Sequence, residues 1–381
     1  MAAKPPFARS WPPRSVLIVR LSALGDVIHA LPALDALRRA FPAARIGWLV
    51  EEKCASLLDG HPQVDRLHVL PRHRAAAAAR RSPLGALVTL AAFFRDLRRE
   101  RYEVAIDLQG NLRSGLATRL AGAPVRVGFA RGHCKEGNFL LTNLHVSPPR
   151  TRLHKVAKDL LLVSALGVET AGARPQVAVP AAARDRASAF VRGLGPGGPL
   201  VALHPGTSRW AAFKQWSAEG YAEVADRLAA ASARVLVTWG PGERDLAERI
   251  AALARTRPAL APETRSVLDL AALFERCAAV VGCDTGPTHL AAALGRPAVG
   301  LYGMKDPAVY GISGPGPIEI VYKGVPCSPC NLRFCPDTVC MEAIRPDDVV
   351  SAIGRLLAGN GSSGSGQVVA EVAGQVLHGP G

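Results

Sequence analysis

Hydrophobic positions in the first half of the chain alternate between short continuous runs and helical spacing. The short runs, each of which predicts a strand, lie at residues 16–19, 46–50, 66–70 and 104–107. Helical spacing follows the first run at Ile28, Leu31, Leu34 and Leu37, and a long helix is predicted over residues 84–101. Apolar strands separated by helices indicate a parallel sheet that is covered on both faces.

The second half repeats this alternation. Strands are predicted at residues 200–203, 235–239, 280–281 and 298–301, and helices at residues 219–231, 244–253, 268–277 and 288–294. The Ala-, Gly- and Pro-rich stretch 177–199 separates the two halves. The predicted fold class is therefore α/β, with two doubly wound, Rossmann-like domains facing across a cleft. Their expected limits are 15–185 and 186–357, between a flexible N-terminus (1–14) and a disordered tail (358–381).

Composition and charge narrow the possible partners. The residues are 49% hydrophobic, which is enough for a core in each domain. The formal net charge of +15 favours acidic partners, although arginine is spread along the whole chain and also fits a merely Arg-rich composition. No basic stretch is interleaved with aromatic residues, so nucleic acid is not an expected partner. Neither a signal peptide nor a run of roughly 18 apolar residues is present, so no membrane-spanning helix is expected.

Asp26 stands in the turn that follows the first predicted strand. This turn holds a single glycine, Gly25, where a dinucleotide-binding fingerprint would need three. No Gly-Lys dipeptide occurs in the chain, so a P-loop is excluded. Asp26 opens a predicted helix, so it either caps that helix or acts as a general base at the mouth of an inter-domain cleft.

A loop rich in small residues follows the first strand of the second half, from His204 to Ser208. Thr207 and Ser208, together with backbone N–H groups at a strand end, suit phosphate binding. Lys214 follows closely and supplies a mobile positive charge for a diphosphate. An ordinary surface loop is the alternative interpretation.

Residues 282–294 run from a strand through a turn into a helix. Gly286 and Thr288 stand where the helix starts, so its N–H groups and dipole form an anion site. Asp284 and His289 flank that site. A phosphate repels a carboxylate, so Asp284 is expected to accept hydrogen bonds from sugar hydroxyls, with helix capping as the alternative.

Five motifs occur in a fixed order between residues 15 and 357. They are Arg20-x-Ser22-x-x-Gly25-Asp26-Val-x-His29, Ile106-Asp-x-Gln109-Gly110, His204-Pro-Gly-Thr207, Lys214-x-Trp216 and Asp284-Thr-Gly-x-x-His289. The ordered set resembles glycosyltransferase family 9, the lipopolysaccharide heptosyltransferases, and is far more specific than any one member. The resemblance implies the GT-B fold, an ADP-heptose donor, inversion at the anomeric carbon, and no metal or other cofactor.

The same resemblance implies a role for each matching residue. Asp26 matches the catalytic base, and Lys214 contacts the leaving diphosphate. Donor binding is implied for Thr207, Ser208, Lys214, Glu243, Asp284, Thr285, Gly286, Thr288 and His289. The implied acceptor is a lipid-linked acidic saccharide, the inner core of lipopolysaccharide. The exact donor sugar and acceptor hydroxyl stay open.

Four arginines bracket an alanine run after the third strand: Arg72, Arg74, Arg80 and Arg81. A solvated helix face is one interpretation of this segment. The family resemblance favours another, because arginine binds the carboxylates and phosphates of such an acceptor in bidentate fashion. These arginines are therefore expected to hold the acceptor at the inner membrane surface. The enzyme is expected in the cytoplasm, peripherally associated with that membrane.

Cys327, Cys330, Cys335 and Cys340 form a dense cluster. Its spacing begins like a zinc knuckle but does not complete the usual paired pattern, so a structural metal and reduced or bridged thiols both stay open. Two other functions also remain. The chain could be a GT-B nucleotide-sugar epimerase or a transferase with another nucleotide-sugar donor, or an inactive sugar-nucleotide-binding module. The presence of both Asp26 and Lys214 argues against the inactive module.

Overall fold

The chain folds into two compact units that meet in sequence between Ala178 and Val179. The computed structural model describes residues 11–149, 152–264, 266–330, 332, 335–359 and 362–363. Most of the predicted flexible N-terminus and of the predicted tail therefore lies outside the described residues. The change of unit falls within the predicted linker 177–199. The predicted boundary after residue 185 comes a few residues later, inside a helix of the second unit (Ala181–Gly193).

The first unit is a six-stranded parallel sheet with helices. Its strands are β1 (Ser15–Val19), β2 (Arg45–Glu51), β3 (Arg66–Leu70), β4 (Val104–Asp107), β5 (Val125–Phe129) and β6 (Leu144–Val146). Its helices are α1 (Leu24–His29), α2 (Leu31–Ala40), α3 (Glu52–Ala55), α4 (Arg72–Arg81), α5 (Pro83–Arg99), α6 (Leu112–Leu120) and α7 (Lys155–Ser164), with a 3-10 turn at Asn138–Leu141. All four predicted strands and the long predicted helix are present.

One predicted helix of this unit is two helices. The helical spacing from Ile28 to Leu37 continues across α1 and α2, but the helix is interrupted at Ala30. This residue caps the end of α1 and the start of α2. Pro32 lies in the first turn of α2. Proline has no N–H group to continue the hydrogen bonding of α1, so it favours a new start.

The second unit contains six parallel strands and one short antiparallel strand. The strands are β7 (Leu200–His204), β8 (Arg234–Val237), β9 (Ala259–Leu260), β10 (Ala279–Cys283), β11 (Ala298–Tyr302), β12 (Pro317–Tyr322) and β13 (Ser362–Ser363). The helices are α8 (Ala181–Gly193), α9 (Ala218–Ala230), α10 (Arg244–Leu253), α11 (Val267–Phe274), α12 (Gly286–Ala293), α13 (Pro307–Tyr310), α14 (Val339–Glu342) and α15 (Pro346–Leu357), with a 3-10 turn at Arg209–Lys214. The four strands and four helices predicted here are confirmed, with ends that differ by a few residues.

Both sheets have the same strand order. The first runs β3-β2-β1-β4-β5-β6, and the second runs β9-β8-β7-β10-β11-β12. In a sheet of this order the chain reverses its direction of winding between the first and fourth strands, and ligands bind outside the carboxyl ends of the strands at that point. The residues that follow β1 and β4, and those that follow β7 and β10, are therefore where function is expected. The predicted doubly wound α/β fold is confirmed in both units.

Each unit has its own core, and the core of the second fixes part of its site. All five residues of β7 and of β10 are buried. Trp216 packs edge-on against Tyr221 of α9, with 5.0 Å between ring centroids, and its Nε1 donates to the Ile344 carbonyl at 3.1 Å. These contacts hold the segment that directly follows Lys214. Within the described part of the chain, no helix has both the length and the apolar character needed to cross a bilayer.

Candidate active site

Asp26 lies in the first turn of α1, just beyond the carboxyl end of β1. Its Oδ2 accepts a hydrogen bond of 3.4 Å from the backbone N–H of Ala23, so the predicted capping contact exists. That contact is long, and 34% of the Asp26 side chain stays exposed. The carboxylate therefore caps the helix and is also accessible to a substrate.

Two cations surround the Asp26 carboxylate. Lys155 Nζ lies 3.4 Å from Oδ1, and Arg20 Nη2 lies 3.8 Å from the same oxygen. Burial opposes the ionisation of Asp26, but the charges of Lys155 and Arg20 outweigh it and lower the pKa from 3.8 to about 2. Asp26 is therefore charged over the whole physiological pH range, which a proton acceptor requires.

Arg20 is a buried guanidinium that links Asp26 to a second carboxylate. Its Nη2 donates to Asp159 Oδ2 at 3.0 Å, its Nε donates to the Asp26 carbonyl at 3.1 Å, and its Nη1 donates to the Leu108 carbonyl. Burial raises the pKa of Asp159 from 3.8 to about 6, although Arg20 and Lys155 act in the opposite direction. Sequence analysis treated Arg20 only as part of a motif, and missed Asp159 and Lys155.

The motif around Gln109 builds the loops that surround Asp26. Gln109 Oε1 accepts hydrogen bonds from the backbone N–H groups of Leu21 at 2.8 Å and Ser22 at 3.2 Å. Asp107 is buried and accepts from Ser114 Oγ at 2.9 Å and Asn138 Nδ2 at 2.6 Å. The Asp107 carboxylate and the Gln109 Oε1 are thus engaged within the protein, where they hold the loop conformation.

The predicted acceptor arginines lie on α4, and they differ in their contacts. Arg72 Nη1 lies 3.0 Å from Oε2 of the buried Glu51, at the carboxyl end of β2. Arg74 and Arg80 lie on exposed positions of α4. The side chain of Arg81 lies outside the described residues. Only Arg72 is thus seen to reach the edge of the sheet where ligands bind.

Two further cations that were not predicted from the sequence lie near Glu51. Arg113 Nη1, from α6, lies 2.8 Å from Glu51 Oε1, and Lys53 Nζ lies 3.7 Å from Oε2. With Arg72, three cations converge on one carboxylate, which leaves an excess of positive charge at this edge. An anionic group of a substrate would complete the balance.

Lys214, Asp284 and His289 form a connected group in the second unit. Lys214 Nζ donates to Asp284 Oδ2 at 2.5 Å, and His289 Nε2 lies 3.3 Å from Asp284 Oδ1. Burial opposes the ionisation of Asp284, but His289 and Lys214 lower its pKa below the ordinary value. The three residues come from the loop after β7, the end of β10 and helix α12, so they meet at the point where the sheet reverses direction.

Glu243 lies against the loop that follows β7. A Cβ atom on Gly206 would stand 2.0 Å from Glu243 Oε2, so glycine is required there for the carboxylate to approach. The Gly240 N–H donates to Glu243 Oε2 at 2.8 Å, and burial raises the pKa of Glu243. Thr207 is half-buried and Ser208 is exposed beside it. These predicted donor contacts therefore share one end of the sheet.

His204, at the end of β7, has a structural role. It is buried, its Nδ1 lies 3.0 Å from Thr238 Oγ1, and burial lowers its pKa to about 4. The ring is therefore neutral at physiological pH and links the ends of β7 and β8.

At the start of α12, one residue of the predicted donor site, Thr288, makes an internal contact. Thr285 precedes the helix and Gly286 opens it, as the turn predicts. The Thr288 side chain, however, is buried, and its hydroxyl donates to the Cys283 carbonyl at 2.7 Å. This hydrogen bond assigns the Thr288 hydroxyl to the turn, because it points inward and is already satisfied.

The clustered cysteines lie between β12 and the end of α14. Cys327 is exposed, Cys330 and Cys335 are half-buried, and Cys340 is buried. Within the described residues, no three His, Cys, Asp or Glu side chains are arranged to hold a metal ion. Burial raises the pKa of the Cys340 thiol, and the neighbouring Cys327 and Cys335 raise it further. Cys327 and Cys335 therefore lie close enough to Cys340 to act on its thiol.

Comparison with known proteins identifies the family. The family described as glycosyltransferase family 9 (heptosyltransferase) matches residues 90–338, more than half of the chain. The chain belongs to glycosyltransferase family 9. Lipopolysaccharide heptosyltransferase 1 of Pseudomonas aeruginosa is 32% identical over 327 residues, which cover 84% of this chain and 87% of that protein. Lipopolysaccharide heptosyltransferase 1 of Escherichia coli K12 is 31% identical over 306 residues, which cover 78% and 90%.

Solved structures of family 9 enzymes share the fold. Escherichia coli heptosyltransferase WaaC with ADP has a TM-score of 0.70 at 27% identity, covering 90% of this chain and 99% of that chain. The structure of WaaC with ADP-2-deoxy-2-fluoro heptose has the same TM-score at 26% identity and the same coverage. This family 9 glycosyltransferase therefore has the GT-B fold of two Rossmann-like units, as the motifs predict.

Proposed function

We propose that this enzyme transfers a heptose from ADP-heptose to the inner core of lipopolysaccharide, with inversion at the anomeric carbon. The observation that carries the proposal is the accessible Asp26 carboxylate, held in its charged form by Lys155 and Arg20 at 3.4 Å and 3.8 Å. The names of the family 9 relatives, and the ADP-bound and ADP-sugar-bound structures of WaaC, support the choice of donor and acceptor.

The proposed reaction is one displacement. Asp26 accepts the proton of the acceptor hydroxyl while the hydroxyl oxygen forms a bond to the anomeric carbon of the heptose. The bond from that carbon to the diphosphate oxygen breaks on the opposite face, and ADP leaves with the bonding electrons. The proton on Asp26 passes to solvent afterwards, since a carboxylic acid with a pKa of about 2 does not retain it.

Positive charge for the leaving diphosphate would come from Lys214. This ammonium lies 2.5 Å from Asp284 Oδ2, and the diphosphate would compete for it. Thr207, Ser208 and the start of α12 at Thr285 and Gly286 would contribute hydroxyl and N–H donors. No metal or other cofactor enters this proposal, because side chains and helix N–H groups supply the charge.

Glu243, Asp284 and His289 of the second unit would bind hydroxyl groups of the donor. Glu243 is half-buried beside Gly206, and it would accept from the nucleotide ribose. Asp284 and His289 lie 3.3 Å apart, and they would bind hydroxyls of the heptose. The choice of sugar would then depend on groups that do not touch the diphosphate.

The acceptor would bind at the other switch point, near Asp26. Arg72 and Arg113 stand at the carboxyl edge of the first sheet, 3.0 Å and 2.8 Å from Glu51, and would pair with carboxylates or phosphates of the saccharide. Arg74, Arg80 and Arg81 remain proposed contacts from α4. Because such an acceptor is lipid-linked, we place the enzyme in the cytoplasm at the surface of the inner membrane.

A reaction with defined substrates tests the proposal. The enzyme is incubated with ADP-heptose and a de-acylated inner-core acceptor, and release of ADP is measured together with the anomeric configuration of the product. We expect ADP release only with acceptor present, and an inverted linkage. Turnover of ADP-heptose without acceptor would support an epimerase, and preference for a UDP-sugar would replace the donor. A protein that binds ADP-heptose but never turns it over would be the inactive module.

A further inference from the structure

Helix α5 has two apolar faces, although a helix on the surface of a domain needs only one. Its inner face packs against the core of the first unit through Leu90, Phe93, Phe94 and the buried Leu97. The outer face carries Leu84, Leu87 and Val88, which are 65%, 64% and 59% exposed. Their spacing of three and four residues places them side by side. The described residues leave this second apolar stripe uncovered.

Basic side chains lie on the same two helices as the exposed stripe. On α5 itself, the same outer face continues through the exposed Ala91 to Arg95. Helix α4 adds the exposed Arg74 and Arg80. Arg95 is partly neutralised by Asp96 at 3.8 Å, whereas no ion pair of Arg74 or Arg80 is found among the described residues. We call Arg74, Arg80, Leu84, Leu87, Val88 and Arg95 the α4–α5 surface.

The two helices present these side chains as one unit. Only Ser82 separates α4 from α5, and it is extended. The two helices meet at Gly85 and Ala78, since a Cβ atom on Gly85 would lie 3.6 Å from the Cβ of Ala78, an ordinary contact distance. The apolar stripe and the arginines therefore belong to one helical hairpin.

We infer that the α4–α5 surface docks on a bilayer containing anionic phospholipids. Exposed leucine and valine side chains together with arginine are the composition of an interfacial helix, which buries its apolar face at the headgroup–acyl boundary. The arginines would bind lipid phosphates, in keeping with a chain of net charge +15. A symmetric contact with a second copy would instead place the arginines of both copies together, and like charges oppose it.

The inference rests on the proposed function in one respect: a lipid-linked acceptor gives the enzyme a reason to bind a membrane. Helix α4 starts directly after β3, and Arg72 reaches Glu51 at the edge of the same sheet. A docked α4–α5 surface would therefore bring the proposed acceptor site close to the headgroups. Binding to lipid vesicles needs neither donor nor acceptor, so its failure would leave the proposed reaction untouched.

Vesicle binding by the full chain tests the inference. The test variant is Leu84→Gln/Leu87→Gln/Val88→Gln, in which glutamine preserves helix propensity. The control is Leu116→Gln/Leu253→Gln/Leu357→Gln, three leucines on other helices that are 45%, 46% and 41% exposed. Sedimentation with vesicles of phosphatidylcholine and phosphatidylglycerol should show binding reduced about tenfold or more in the test variant, with the control unchanged.

A second variant tests the charges. Arg74→Gln/Arg80→Gln/Arg95→Gln should lose the preference for phosphatidylglycerol vesicles over pure phosphatidylcholine. Circular dichroism checks that each variant is folded. Equal vesicle binding by the test and control variants would overturn the inference. So would light scattering that shows an oligomer of the wild type dissociated by the Gln substitutions in α5, because the stripe would then be an interface between copies.

Discussion

Arg20 Nη2 lies 3.0 Å from Oδ2 of the buried Asp159, and the same guanidinium group approaches the half-buried Asp26 at 3.8 Å. One buried cation is thus shared by two carboxylates whose pKa values differ, at about 6 for Asp159 and about 2 for Asp26. Any change in the charge of Asp159 alters how strongly Arg20 acts on Asp26. Asp159 is therefore a positioning residue for the proposed base.

The first prediction is that wild-type kcat/KM for the acceptor falls as the pH drops through about 6. Protonation of Asp159 leaves Arg20 and Lys155 opposed by Asp26 alone, which makes Asp26 a weaker base. Asp159→Asn should remove this inflection and should behave at neutral pH as the wild type does in acid. The measurement is the pH profile of both proteins.

Stability provides an independent check on Asp159. Its folded-state pKa is raised from 3.8 to about 6, so the folded protein binds this proton more tightly than the unfolded chain. The free energy of unfolding should therefore fall as pH rises through that window, and Asp159→Asn should lose the slope. If the wild type and the variant show the same pH dependence in both activity and stability, Asp159 has no part in tuning Asp26.

The second prediction concerns Asp26→Asn, which should lower the transfer rate about 10²- to 10⁴-fold and leave ADP-heptose binding intact. The substitution preserves shape and removes the proton acceptor. Asp245→Asn is a matched control, since Asp245 is also an exposed carboxylate in the first turn of a helix. Donor binding by calorimetry and turnover are measured for both. Wild-type turnover in Asp26→Asn would leave this residue as a helix cap only.

Third, Lys214→Ala should weaken donor binding and turnover together, because the diphosphate gains negative charge as it leaves. Lys323→Ala is the control: Lys323 also pairs with a carboxylate, Asp348 at 2.9 Å, but on the surface. Asp284→Ala should act differently. It should reduce discrimination among ADP-sugars while affinity for ADP itself holds or rises, since Lys214 is then unopposed.

Competition binding with several ADP-sugars distinguishes these outcomes. Equal donor affinity and turnover in Lys214→Ala and in the wild type would remove Lys214 from the site. An unchanged order of sugar preference in Asp284→Ala would do the same for the proposed sugar contact.

The fourth prediction separates the arginines of the first unit. With a soluble, de-acylated acceptor, Arg72→Ala/Arg113→Ala should raise the acceptor KM strongly, because both residues stand at the sheet edge beside Glu51. Arg74→Ala/Arg80→Ala should raise KM mainly for an acceptor embedded in vesicles. Added salt should weaken acceptor use more in the wild type than in the variants, since it screens the charges removed. Unchanged KM values in both double variants would return α4 to a solvated helix face.

Fifth, the four clustered cysteines should differ in reactivity. Cys327 is exposed and should be alkylated quickly, whereas Cys340 is buried and burial raises the pKa of its thiol, so it should react slowly. Mass spectrometry after brief alkylation measures the order. Uniform protection of all four, with about one equivalent of zinc or iron in the purified protein, would instead identify a metal site.

Much of the fold follows from the apolar runs, and the strands that were not predicted differ in why they were missed. Strands β1 and β10 are buried along their whole length, so their sequences are apolar throughout. Strands β6 and β12 were not predicted, because both are partly exposed and keep polar residues between the apolar ones. Strand β9 has two residues, too few for any periodic pattern. Strand β5 is buried at four of its five positions but was not predicted either, because Arg126 and Gly128 interrupt its apolar residues. Strand β3 was predicted although it is mostly half-buried or exposed, so burial alone does not decide which strands can be predicted.

The candidate site was also predicted only in part. Asp26 and Asp284 could be proposed from the sequence because each lies in the segment that follows a strand at a switch point of its sheet. Asp159, Lys155 and Arg113 could not, because only the strand order brings α6 and α7 to that edge. Thr288 was predicted from the turn motif, but a motif does not tell an outward hydroxyl from one that bonds the Cys283 carbonyl.

Because the two sheets have the same strand order, Gln109 after β4 and Asp284 after β10 lie at equivalent positions. Each side chain ties its own loop to the loop after the first strand of its sheet. Gln109 does so with a neutral amide that binds two backbone N–H groups, and Asp284 with a charge that binds the mobile ammonium of Lys214. An anion does not compete for the backbone N–H groups that bind Gln109 as it would for an ammonium. A phosphate, in contrast, can compete with Asp284 for Lys214. Two units of one architecture therefore hold equivalent loops by different means, and the proposed diphosphate would open only the junction made by Lys214 and Asp284.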